Sequence, residues 1–368
     1  MKINYFNNLN IFRGIAALLV FIGHLRNIYF KDYQYVQDTN LLIDFFYLVT
    51  SLGHPAVMIF FVISGFVITN LIFKDLNSFS FIQYLIDRLI RLWTVLIPAI
   101  IFSLVVYYFL SNFYPEIIQG KYRNIINSGP SIDNYKITLF QIIGNIFFLQ
   151  GILVKTLEIN GPLWSLSYEL WYYVLFPIIL YNFRIFKYQS NTKNLIFFLF
   201  LVFNLWFIPS KILLYFFIWL LGSLLYFLKD IQIKYTKSNI ILSLFFFILT
   251  LLNFKINFFK LNNFSNDLII ALGFSYFLFV TLKLKINFFN LKIFNYLSNI
   301  SYSLYLFHFP IILIIFSLIQ KNKFTLNLIN LIYFFLISFL IIIIIHIFWF
   351  IFEKNTYLYK NVVKRFIN

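Results

Sequence analysis

Cysteine is absent from the 368 residues, which excludes disulfides, thiolate metal sites and cysteine nucleophiles together. Charge is scarce as well, at 11% of the chain, where soluble domains carry roughly a quarter. Acidic side chains are the rarer sign, 12 against 29 basic. There are four His and no H-E-x-x-H spacing, so no metal site is expected. Only five Ala occur, against 53 Phe; Phe and Ile fill lipid-facing positions that Leu or Ala take elsewhere, so aromatic stripes carry little information. No low-complexity linker interrupts the chain, and its first apolar stretch lacks an A-x-A-like cleavage site.

What is present is hydrophobic: 62% of the residues, too much for a water-soluble fold. A spanning helix needs roughly 20 mainly apolar residues, and such runs recur along the whole length. The sequence therefore predicts an all-α, polytopic integral membrane protein, one domain over 1–368 with no appended soluble domain. Ten spans are expected, at 10–30, 53–73, 92–112, 163–182, 194–209, 211–228, 239–253, 267–282, 300–319 and 327–352. The net charge of +17 does not point to nucleic acid, because the bases lie singly in short loops. Ten spans with both termini cytoplasmic place 17 of the 29 Lys and Arg inside and nine outside, as the positive-inside rule requires. The inside set includes Lys2, Lys187, Lys234 and Lys285; the outside set includes Lys321. The expected location is the cell membrane, multi-pass, with membrane lipid as a partner. Segment 137–154, also apolar, is then a re-entrant or interfacial piece, and 74–91 an amphipathic cytoplasmic helix with Phe79, Ile82, Leu85, Ile86 and Leu89 on one face.

Ionisable side chains inside a bilayer cost a few kcal/mol or more and mark functional positions. Arg13 and His24 lie eleven residues apart on the first span, within roughly 20° on one face and about 16 Å apart along the axis. Near the cytoplasmic end a guanidinium can hold phosphates bidentately. Deeper in, a neutral imidazole can take a proton. The alternative is a snorkelling Arg and a structural His. Glu169 needs a partner at membrane depth, and His24 is an available one, which gives a base and its orienting carboxylate; a buried structural hydrogen bond is the other reading. Ser165 and Ser167 are read as helix caps rather than nucleophiles. His308 either lines the same cavity or braces it, and His346 is structural. Arg26 and His54 sit toward the outer surface, open to an acceptor or serving as interfacial anchors.

Six segments in order resemble the integral-membrane acyltransferase 3 family: Arg13 with ten residues before His24; FFVISGFVIT at 60–69; YLIDRLIRLW followed by Pro98; PLWSLSYELWYYVLFP at 162–177; ISYSLYLFHFPI at 300–311; and FIFEKNTY at 350–357. Members of that family O-acylate surface polysaccharides, lipopolysaccharide, peptidoglycan and small glycosides. The resemblance implies His24 as catalytic base with Glu169, Arg13, Arg88 and Arg91 as donor-binding residues, and an acyl-CoA, commonly acetyl-CoA, as co-substrate rather than bound cofactor. Trp164, Ser167, Tyr302 and His308 are the candidates for the cavity that admits a carbohydrate or glycolipid acceptor. Many members carry an Asp shortly before the FF pair where this chain has Met58, and some append an extracytoplasmic domain that this sequence is not expected to have. The expected function is transfer of an acyl group from cytoplasmic acyl-CoA to a carbohydrate hydroxyl. The rival is a transporter or flippase, which would favour paired half-sequences; none is visible.

Overall fold

The computed structural model describes residues 5–37, 39–126, 128–131, 135–186, 191–231, 236–283, 292–319 and 323–367. Lys2, Lys187, Lys234, Lys285 and Lys321, used above to orient the chain, lie outside them. The described residues are mostly helical with no strand, and nine helices among them are long and apolar enough to cross a membrane. The protein is an all-α polytopic membrane protein.

In chain order the helices are α1 (Tyr5–Tyr29), α2 (Leu41–Thr50), α3 (Gly53–Lys74), α4 (Phe81–Phe113), α5 (Pro115–Ile118), α6 (Leu139–Ile146), α7 (Trp164–Asn182), α8 (Asn191–Phe207), α9 (Ser210–Leu228), α10 (Lys237–Ile256), α11 (Asn263–Lys283), α12 (Lys292–Leu318), α13 (Leu328–Ile351) and α14 (Thr356–Ile367). Each of the ten expected spans falls on one of them. The span expected at 194–209 is α8, whose 17 residues reach about 25 Å, short of a hydrocarbon core of roughly 30 Å.

One expectation changes. The amphipathic segment at 74–91 and the span at 92–112 are one helix: α4 runs 33 residues through Pro98, about 50 Å long at 1.5 Å per residue. Ile82 points outward, and the buried face instead carries Tyr84, Ile90, Leu92, Val95 and Leu96. Segment 137–154 contains only the eight-residue α6, about 12 Å long and unable to cross. Its Leu139, Phe140 and Ile143 are exposed while Gln141 and Asn145 turn inward, donating side-chain amides to the carbonyls of Lys155 and Thr156.

The chain divides into two compact units. The first comprises Met1–Ala16, His54–Arg88 and Tyr168–Asn295; the second comprises Ala17–Gly53, Leu89–Ser167 and Tyr296–Asn368. In the first, α3 and α9 meet backbone to backbone. A Cβ added at Gly65 would strike the Trp219 carbonyl, and one at Gly222 the Val62 carbonyl. Close approach through small residues is how membrane helices associate where lipid supplies no hydrophobic drive. Trp219 is fully buried beside this contact and donates its indole N–H to Ser64 Oγ at 3.1 Å.

In the second unit the FIFEKNTY and ISYSLYLFHFPI segments are tied together: Glu353 accepts from the Ser303 N–H at 2.9 Å and from its hydroxyl at 2.6 Å. Tyr302 donates to the Leu92 carbonyl at 3.1 Å, joining α12 to α4. Within α12, Pro310 has no N–H to bond Leu306; the Asn160 amide does so instead, at 2.8 Å. The motif-bearing segments thus join where backbone groups need partners.

Candidate active site

His24 and His308 come together in the second unit. Their ring centroids stand 5.3 Å apart with a 36° tilt. His24 is half-buried and edges against Phe309 at 5.2 Å. His308 is fully buried. Its Nδ1 lies 2.9 Å from the Leu304 carbonyl, which can only accept, so Nδ1 carries the proton and neutral Nε2 presents a bare lone pair. That Nε2 has no hydrogen-bond partner among the described residues. A part-accessible imidazole beside an acceptor nitrogen held by its tautomer can take a proton and share it.

One turn before His308, Tyr305 anchors α12 to the start of α7. Its hydroxyl donates to the Pro162 carbonyl at 2.9 Å and lies 2.7 Å from Ser165 Oγ. Ser165 therefore pairs with a tyrosine instead of capping α7. Ser167 does not cap it either: its hydroxyl donates back to the Trp164 carbonyl at 3.1 Å, and the residue is fully buried. Trp164 and Tyr302 are half-buried in the same unit.

The first unit holds the second cluster. Glu169 is half-buried and accepts a hydrogen bond from Tyr173 one turn further along α7. Ser64 donates to the Tyr173 hydroxyl at 3.4 Å. Arg88 lies within electrostatic reach of Tyr173 and of Tyr84, and its buried Nε has no hydrogen-bond partner among the described residues. The structure thus gathers Arg88 and Glu169 about one tyrosine. Arg13, half-buried on α1, belongs to the same unit, whereas Arg91, exposed on α4, belongs to the unit of His24.

Sequence reasoning passed over Tyr173 and Tyr305. The available signal was spacing: Tyr173 follows Glu169 by four and Tyr305 precedes His308 by three, the offsets at which helical side chains meet. Arg26 is not open to a ligand, since it is buried with its guanidinium 5.4 Å from the Tyr47 ring centroid. His346 lies 3.1 Å from the Tyr296 hydroxyl through Nδ1, a structural contact.

A family model described as an acyltransferase domain, that of the acyltransferase 3 family, matches residues 6–350. O-acetyltransferase OatA of Staphylococcus aureus, in strains NCTC 8325, COL and MRSA252, is 31% identical over 132 residues. That stretch is 35% of this chain and 20% of the relative, so the match covers about a fifth of the length of the relatives. No solved structure matches the chain.

Proposed function

The chain belongs to the acyltransferase 3 family, and from that membership we propose that it is a membrane O-acyltransferase transferring an acyl group, acetyl in the first instance, from cytoplasmic acyl-CoA to a hydroxyl of a surface or lipid-linked carbohydrate. The similarity to a protein named as an O-acetyltransferase supports the reaction class. The placement of His24 beside His308 at 5.3 Å carries the residue assignment.

His24 removes the proton from the acceptor hydroxyl as its oxygen attacks the thioester carbonyl. The new C–O bond forms, the C–S bond breaks, and the imidazolium returns its proton to the departing thiolate, so the base is regenerated. His308 offers its Nε2 lone pair to the charge that develops on His24; Glu169, held by Tyr173, is the second catalytic residue that the family resemblance implies. Arg13, Arg88 and Arg91 receive the phosphates of the donor, a task suited to planar guanidinium groups. Trp164, half-buried at the start of α7, shapes the acceptor side, whereas Ser167 is fully buried and Tyr302, tied to Leu92, lies at the donor end. On a ten-span topology the excess of Lys and Arg in alternate loops supports cytoplasmic termini, with the donor on that side.

Mass spectrometry of surface glycans tests this reading in cells carrying the intact gene, a deletion and His24→Ala. Loss of one acyl unit per modified residue in both altered strains is expected. Acylation that survives His24→Ala overturns the assignment of the base; glycans identical in all three strains overturn the reaction and favour transport.

A further inference from the structure

A second polar centre lies in the first unit. Asp267, in the second turn of α11, is 1% exposed in its side chain. The Nε2–H of His54 faces both of its oxygens, at 2.9 and 3.0 Å, and the Tyr215 hydroxyl donates to it at 2.5 Å. A carboxylate is stable so deep only when it is paired and hydrogen-bonded, and these two donors fix its orientation.

The carboxylate lies at the wall of a cavity of about 630 Å³, bounded also by Lys211, Asn263 and Phe264. That volume falls within the roughly 300–1,000 Å³ of small-molecule sites. The lining combines a carboxylate, side-chain amides, an ammonium and aromatic rings. Amides offer donors and acceptors together, as vicinal hydroxyls require, and ring faces such as that of Phe264 cover the C–H face of a pyranose. Lys211 and Asp267 carry opposite charges, so the cavity balances and favours an uncharged ligand.

We propose that this cavity binds a neutral, hydroxyl-rich sugar unit: the part of the carbohydrate acceptor that is not itself acylated. Its role as an acceptor subsite rests on the O-acyltransferase reading, while its capacity to hold a sugar does not. On the topology proposed above, the α10–α11 connection and the start of α9 are extracytoplasmic, the side from which a surface glycan arrives.

The test is saturation-transfer NMR on the full chain in lipid nanodiscs, with triacetylchitotriose as the neutral probe and trigalacturonate as its acidic counterpart. Transfer to the neutral probe is expected, falling at least threefold in Asp267→Asn and in Asn263→Trp. The latter blocks the cavity from an exposed rim position and leaves the His54–Asp267–Tyr215 contacts in place, so loss of folding in Asp267→Asn does not void the experiment. No transfer to the neutral probe, transfer unchanged in Asn263→Trp, or preference for trigalacturonate overturns the proposal. His24→Ala is expected to bind as the intact protein does while losing acyl transfer. If that variant binds and still acylates, the catalytic reading falls and the sugar site stands.

Discussion

Asn160 donates its side-chain amide to the carbonyl of Leu306 at 2.8 Å, the group that Pro310 leaves without its helical partner. The bond matters because α12 carries His308 between these two positions. Asn160 is fully buried, so no water replaces it. Asn160→Ala is expected to cost about 1–3 kcal/mol, the range for a buried acceptor left unsatisfied, read as a lower unfolding temperature in detergent. Asn160→Asp, which removes the donor and adds a charge, should be worse. Unchanged stability in both variants would show that α12 meets its proline without this contact.

Gly65 and Gly222 allow no side chain between α3 and α9, because each Cβ would meet a carbonyl of the opposing helix. Backbone cannot move aside as a side-chain tip can. Gly222→Ala should destabilise by about 1–3 kcal/mol or more through overpacking. Gly151 is a useful contrast: it has a φ of +77° but nothing within 4 Å of an added Cβ, so Gly151→Ala should cost only backbone strain, about 1 kcal/mol. Equal losses of thermal stability in the two variants would contradict the close-packing account.

On the proposed mechanism His308 acts through His24, with its buried Nε2 as an acceptor. His308→Ala should lower kcat by about 10–100-fold, the equivalent of removing a hydrogen bond to a charged group, with little change in KM for the acyl donor. His308→Gln places an amide oxygen near the same position and should recover part of kcat. A purely structural role predicts instead that both variants fall together with protein yield.

Tyr173→Phe removes the hydrogen bond to Glu169 while keeping the ring. A fall in kcat of about tenfold is expected from the loss of one bond to a charged group, with the folded yield maintained. Activity equal to that of the intact protein would separate Tyr173 from the work of Glu169.

Arg88→Ala should raise KM for acyl-CoA at least tenfold, and Arg88→Lys should recover only part of it, since an ammonium lacks the planar fork. An effect confined to kcat would remove Arg88 from the donor site.

Much of this protein was legible before any coordinate. A run of twenty apolar residues has no partner in water, and a helix satisfies its backbone with bonds inside the run; the expected spans therefore land on helices. The ionisable residues buried in those runs, Arg13, His24, Glu169 and His308, were legible for the same reason, because each carries a cost its neighbours in sequence do not meet. Hydropathy was less informative where a helix extended beyond the apolar run, so α4 read as two pieces; α2, apolar but only ten residues long, and the amphipathic α14 went unnoticed.

Which polar residues meet was decided by tertiary structure alone. His24 lies on α1 and His308 on α12, and no local period relates them; side-chain packing and the bond that holds Nδ1 of His308 bring the rings together. His54, Tyr215 and Asp267 come from three helices, and no local period relates them. Hydrophobicity is a property of one segment and can be read from it. A hydrogen bond between distant segments depends on how close their backbones come, and here that distance is set by residues such as Gly65 and Gly222, whose importance lies in what they do not place between two helices.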